Sequence, residues 1–282
     1  MIANVLTIAG TDPSGGAGIS ADLKTFSALG AYGTAVVTAV VAQNTRGVDA
    51  VLQLSGPVVS GQLDTLFADV RIDAVKIGML GSAEVVRAVA DAVDRYRPPV
   101  VVLDPVMVAK SGDRLLAPDA VDALRAQLLP RSDLITPNLP EAADLLGEPE
   151  AGDEQQMAGQ LERLAGLTRG VLLKGGHLPG DASVDLLLVD GRRTRLSAPR
   201  IATTSTHGTG CTLSAAIAAL RPQRPDWDSA VSDAKNYLTG AIAAADQLQV
   251  GSGHGPTHHF HATWRRPSAD AGTAPGIDDT LR

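Results

Sequence analysis

Short apolar runs alternate along this chain with longer stretches in which apolar residues recur every three or four positions. The first kind predicts strands at residues 5–9, 34–42, 51–54, 74–77, 100–103, 134–136 and 170–173. The run at 100–103 is apolar at every position, as in a central parallel strand covered on both faces. The second kind predicts helices over 19–29, 57–67, 83–95, 118–129, 140–146, 154–165, 210–220 and 227–246. Residues 183–189 and 193–196 flank Asp190-Gly191, a hairpin turn signal. Strand followed by helix, repeated this often, predicts an α/β fold: a mostly parallel sheet with helices on both faces.

No low-complexity linker or internal repeat divides the chain, so residues 1–266 are expected to form one domain. Residues 267–282 are rich in Pro, Gly, Asp and Ala without apolar periodicity, and read as a disordered tail. The 282 residues are 44% hydrophobic and 20% charged, an ordinary globular composition with ample core. A net charge of -7 without a Lys/Arg block argues against a nucleic-acid surface. No apolar stretch is long enough to span a bilayer, and residues 1–9 lack a basic leader, so the cytoplasm is the expected location. A single cysteine excludes an intrachain disulfide framework and a cysteine-rich zinc site.

That cysteine closes the most informative motif, Thr206-His207-Gly208-Thr209-Gly210-Cys211, which runs into a helix of small apolar residues. A glycine turn opening a helix exposes N–H groups to an anion, and the same groups would stabilise a Cys211 thiolate. The same pattern also fits a tight turn with a buried small cysteine. Other unusual residues fall where parallel strands end, the usual ligand edge of such sheets. Gly10-Thr11-Asp12-Pro13-Ser14-Gly15-Gly16-Ala17-Gly18 follows the first strand; it is neither a P-loop nor a dinucleotide fingerprint. Its Asp12 suits a ligand hydroxyl or amine, or a capped turn. Gln43 offers a planar donor–acceptor pair for a small heterocycle, or a turn amide. Met79 suits a ring face or the core. Asp104 at a strand end suits Mg²⁺ beside a polyphosphate, with Asn138 and Glu141 in support or acting as helix caps. Lys174 suits phosphate oxygens or a solvated ion pair. His254, His258, His259 and His261 match no firm metal spacing and read as packed histidines.

Taken jointly, seven segments resemble one known family. They are residues 9–19, Val41-Ala42-Gln43-Asn44-Thr45, Lys76-Ile77-Gly78-Met79, Val102-Leu103-Asp104-Pro105-Val106, Thr136-Pro137-Asn138-Leu139-Pro140-Glu141, Lys174-Gly175-Gly176-His177 and His207-Gly208-Thr209-Gly210-Cys211. The resemblance is to the hydroxymethylpyrimidine/phosphomethylpyrimidine kinases of thiamine biosynthesis and covers about residues 4–264. It implies a ribokinase-like three-layer α/β/α fold, a cytoplasmic homodimer, and ATP- and Mg²⁺-dependent phosphorylation of 4-amino-5-hydroxymethyl-2-methylpyrimidine, then of its monophosphate. It also implies roles. Gln43 reads the aminopyrimidine edge, with Gly10, Asp12, Met79 and Val106 lining the pocket. Cys211 stands where related sugar kinases carry a catalytic Asp, and Gly208, Thr209 and Gly210 form the anion hole. Asp104 and Glu141 serve Mg²⁺, while Lys174, Asn138 and Thr209 lie toward ATP. A pyridoxine or pyridoxal kinase of the same superfamily is the nearest alternative. A non-catalytic sensor on this scaffold and a cysteine hydrolase are the readings from other classes.

Overall fold

In five successive strands, neighbouring apolar residues go to opposite sides of the sheet. Val5 and Leu6, Ala74 and Val75, Val101 and Val102, Leu134 and Ile135, and Val171 and Leu172 each divide between two separate cores. Such strands need cover on both faces, and the computed structural model supplies it. It describes residues 1–107, 116 and 118–264; the proposed tail at 267–282 lies outside them. The main sheet has eight strands in the order β10-β9-β8-β7-β6-β5-β1-β2. They are β1 (Asn4–Ala9), β2 (Tyr32–Val37), β5 (Ala74–Ile77), β6 (Val101–Leu103), β7 (Leu134–Ile135), β8 (Gly170–Lys174), β9 (Ala182–Val189) and β10 (Arg192–Pro199). From β8 to β2 every pairing is parallel; β9 runs antiparallel to β8 and to β10.

One core lies under α2 (Gly56–Phe67), α3 (Ala83–Tyr96), α4 (Pro118–Ala123), α5 (Leu139–Leu146) and α6 (Glu154–Ala165). The other lies under α1 (Gly18–Ala28), α7 (Thr209–Leu220) and α8 (Trp227–Ala243). Residues 212–220 of α7 are buried all round, because this helix sits between the sheet and α1 and α8. Its run of alanines keeps those neighbours close. The β9–β10 hairpin turns at Asp190 (φ 52°) and Gly191 (φ 72°), the two positive φ values of a type I′ turn. The predicted 118–129 helix is α4 continued by a π-helical turn, Leu124–Leu128.

The expected strand over 34–42 is two strands. Thr38 breaks it: its N–H donates to the Ala9 carbonyl and its hydroxyl to the Met79 carbonyl. Beyond it β3 (Ala39–Asn44) leaves the main sheet and pairs with β4 (Gly47–Gln53), which absorbs the predicted 51–54 strand. Polar contacts at one residue thus redirect a run whose apolar pattern is continuous. On the side away from Val41 the hairpin exposes Val40 and Leu52, which lie directly opposite each other.

Candidate active site

The C-terminal ends of β1, β5, β6, β7 and β8 open into a cleft of about 700 Å³, which the hairpin and the first turn of α7 wall in. The residues proposed from sequence for catalysis and binding line it: Gly10, Asp12, Gln43, Met79, Asp104, Val106, Asn138, Glu141, Lys174 and residues 208–211; His254, His258, His259 and His261 do not.

At its centre Gly208 caps α7 with φ 74°. A Cβ there would collide with the Gly16 carbonyl, so this turn accepts only glycine. No side chain caps the helix and its first turn holds no acidic residue, which leaves the Gly208-Thr209-Gly210 end positive and facing the cleft. The Thr209 N–H makes a long turn contact to the Thr206 carbonyl, 3.4 Å. Cys211 differs from expectation. Burial pushes its thiol up to about 11, against the pull of Lys76 and of the Gly18 N–H; Asp22 and Asp104 add to the rise. The thiol form is favoured, because desolvation outweighs the helix-terminus effect that predicted a thiolate.

Asp104, Lys174 and Glu141 form one charged cluster beside this turn. Lys174 Nζ lies 3.2 Å from Asp104 Oδ1 and 4.0 Å from Glu141 Oε2. The Thr136 hydroxyl donates to Asp104 Oδ1 (3.0 Å) and the Ser214 hydroxyl to Oδ2 (3.2 Å). Burial works against the Asp104 charge, but Lys174 and Lys76 outweigh it and hold the carboxyl below its ordinary range. For Glu141 burial wins over Lys174 and pushes the carboxyl up to about 7. Asn138 and Glu141 make a capping box: each backbone N–H donates to the other's side chain at 2.8 Å. Of the two readings posed from sequence, capping holds, and both residues also line the cleft. Gly210 completes the cluster, since a Cβ on it would sit 3.3 Å from Lys174 Nζ and 3.6 Å from Asp104 Oδ2.

At one end of the cleft Gly10 packs so closely that an added Cβ would lie 3.4 Å from Met79 Sδ and 3.6 Å from Val41 Cγ2. Val106 follows in the turn after β6, its N–H on the Asp104 carbonyl. Gln43 enters from the hairpin, where the β3–β4 register shifts between Ala42 and Gln43. The structure changes the role of Asp12. Its Oδ1 accepts the Ser14 N–H and hydroxyl, and its Oδ2 accepts the Ala17 and Gly16 N–H groups and His207 Nε2 at 2.7 Å. These bonds, above all those from His207 and Ser14, overcome the effect of burial and lower its pKa. With both oxygens engaged inside the protein, Asp12 shapes the wall of the cleft.

Sequence reasoning missed three groups. Lys76, fully buried on β5, bonds both oxygens of Asp22 (2.8 and 3.0 Å), and the Thr7 hydroxyl completes that carboxylate. A lysine inside an apolar strand was the available signal. On the opposite side Lys235 pairs with Asp185 at 2.5 Å, and Asp185 also accepts the Gly175 N–H, which pins the turn after Lys174. Leu238, Thr239 and Ile242 of α8 line this far end with Pro199 and Ile201. Nothing local in α8 marks those positions, since only the fold carries them to the cleft.

A parallel sheet whose strand ends present a helix-terminus anion hole, a carboxylate–lysine cluster and a ring-sized apolar wall defines a ribokinase-like small-molecule kinase. The sequence model of the family described as phosphomethylpyrimidine kinase matches residues 12–258, and the chain belongs to that family. It is 59% identical over 262 residues to a hydroxymethylpyrimidine/phosphomethylpyrimidine kinase of Escherichia coli strain K12, covering 93% of this chain and 98% of the relative. Among solved structures it resembles a Bacillus subtilis pyridoxal kinase in complex with ADP (TM-score 0.85, 35% identity, 92% of this chain and 98% of the other). It also resembles a phosphomethylpyrimidine kinase of Clostridium difficile 630 (TM-score 0.76, 41% identity, 85% and 99%).

Proposed function

We propose that the chain transfers the γ-phosphoryl group of ATP to the hydroxymethyl group of 4-amino-5-hydroxymethyl-2-methylpyrimidine, and then phosphorylates the monophosphate to the diphosphate, for thiamine biosynthesis. The observation that carries this reading is the linear order of the cleft. A ring-sized wall with Gln43 comes first, the Gly208–Gly210 anion hole beside Cys211 next, then Lys174, and last the apolar end under α8. Contacts between neighbours give that order: Gln43 meets His207 at the end walled by Gly10, Met79 and Val41, Gly210 of the same turn packs against Lys174 and Asp104, and Asp185, paired with Lys174 across β8 and β9, meets Lys235 of α8. A ring alcohol at one end and a nucleoside triphosphate from the other meet at the anion hole. A need for ATP supports the cytoplasm as its location.

Phosphoryl transfer asks mainly for alignment and charge stabilisation, which residues 208–210 and Lys174 supply. The hydroxymethyl proton goes to Cys211 once its sulfur is deprotonated, and Lys76 together with the Gly18 N–H favours that form. In the second step the nucleophile is already an anionic phosphate and needs no base. Asp104 and Glu141 fit Mg²⁺: they are hard oxygen donors, two in number, beside the anion hole, as suits an ion that keeps waters and phosphate oxygens. Mg²⁺ bound there would screen the charge of the triphosphate. Asn138, bonded to Glu141, keeps that side chain in place.

The pyridoxal kinase likeness supports a second reading in which pyridoxal or pyridoxine is the acceptor. Steady-state turnover of the pyrimidine and of pyridoxal with ATP and Mg²⁺ separates the two. The expected result is a larger kcat/KM for the pyrimidine; a larger value for pyridoxal reverses the assignment. We further infer a homodimer, because the hairpin presents Val40 and Leu52, directly opposite each other, to solvent.

A further inference from the structure

His207 lies in the anion-hole motif, yet its side chain turns toward the ring end of the cleft. Its backbone is fixed by a bridge to Pro256, and the ring packs so closely on Gly16 that a Cβ there would collide with it. The imidazole therefore has one orientation. Its Nε2 lies 2.7 Å from Asp12 Oδ2, on a carboxylate that already accepts four other donors. A carboxylate only accepts, so Nε2 carries a proton. The terminal amide of Gln43 lies 3.3 Å from the same Nε2. With the amide nitrogen at that distance two donors would face each other. A half-turn of the terminal torsion, which leaves the side-chain frame in place, brings Oε1 there instead, as the longer second acceptor of the one Nε2 proton that Asp12 Oδ2 accepts at 2.7 Å.

We infer that His207 is a positioning residue for substrate specificity: held by Asp12, it fixes the Gln43 amide with Oε1 on the imidazole side, so that the cleft reads donor and acceptor on the ring in one order only. The inference rests on the reading of Gln43 as the residue that meets the pyrimidine edge. In that order Oε1 accepts from the exocyclic 4-amino group while the amide NH₂ donates to the adjacent ring nitrogen. The 4-oxo ring presents the reverse order, an acceptor at position 4 and an N–H beside it, and is rejected. An amide free to turn over would satisfy either ring.

The test is titration calorimetry of the 4-amino ring and its 4-oxo analogue with wild type, Gln43→Leu and His207→Phe, with ADP affinity as the control for an intact fold. For His207→Phe the preference for the 4-amino ring should fall roughly tenfold, partly through tighter binding of the 4-oxo ring, with ADP affinity unchanged. A purely structural role would weaken both rings alike. If Gln43→Leu weakens the pyrimidine and His207→Phe leaves the preference intact, the orienting role is overturned while the Gln43 reading stands. If Gln43→Leu changes neither ring, the Gln43 reading itself fails. Should His207→Phe not fold, the ¹⁵N spectrum of wild-type imidazoles decides: a protonated Nε2 on His207 is expected, and a bare Nε2 overturns the inference.

Discussion

Cys211 shows how one residue's chemistry follows from its surroundings. The helix end, Lys76 and the Gly18 N–H favour the thiolate, yet burial holds the sulfur protonated, at about 11. Only the deprotonated fraction accepts a proton, so phosphorylation of the alcohol should rise with pH from 7 toward 10, while phosphorylation of the anionic monophosphate stays flat. Replacing Cys211 with Ala should slow the first step by about 100-fold or more, in the range of a lost general base, and the second far less. Rates measured separately on the alcohol and the monophosphate, in both proteins across that pH range, check this. Equal losses and parallel profiles would assign Cys211 to positioning alone.

The hairpin of β3 and β4 has two jobs set by strand alternation. One side of β3 faces the cleft with Val41 and Gln43, and the other exposes Val40. Leu52 on β4 is 65% exposed, uncommon for a large apolar residue beside other exposed apolar groups. If a second copy covers this patch, Leu52→Asp should shift the mass measured by light scattering from dimer to monomer. A wild-type monomer, or a variant that stays dimeric, would end that reading. Because Gln43 lies on the same hairpin, the monomeric variant should also bind the pyrimidine more weakly while keeping its affinity for ADP.

Across the whole molecule, the segment after α8 packs back against α7 and the turn before it. The Tyr237 hydroxyl donates to the His259 carbonyl, and His259 Nε2 lies 3.2 Å from the Thr212 hydroxyl, next to Cys211. Burial, with Lys24 and His258 nearby, lowers the His259 pKa to about 4 from the ordinary 6.5. Between those values the unfolded chain binds the proton and the folded one resists it. This contribution to stability is therefore complete above pH 6.5 and is lost as pH falls toward 4, a difference of about 3 kcal/mol at most. His259→Asn should be less stable than wild type at pH 7.5 and lose less between pH 6.5 and 4. Thermal unfolding of both proteins across that range measures it; parallel curves would show that His259 does not govern the acid loss.

The apolar pattern by itself determined the alternation of strands and helices, the three layers and the hairpin at Asp190-Gly191, because period and turn chemistry are local properties. The motifs likewise placed Gln43, Asp104, Lys174 and Cys211 at strand ends or a helix start, where α/β sheets bind ligands. Only the tertiary structure decided which of these groups are free to act. Asp12 is consumed by its own loop and by His207, Glu141 caps a helix while facing Lys174, and the Cys211 thiol keeps its proton. Each outcome depends on partners far away in sequence and on the water that packing removes, and no local pattern records either. The Thr38 break, the Asp22 partner of Lys76 and the α8 wall were hidden for the same reason.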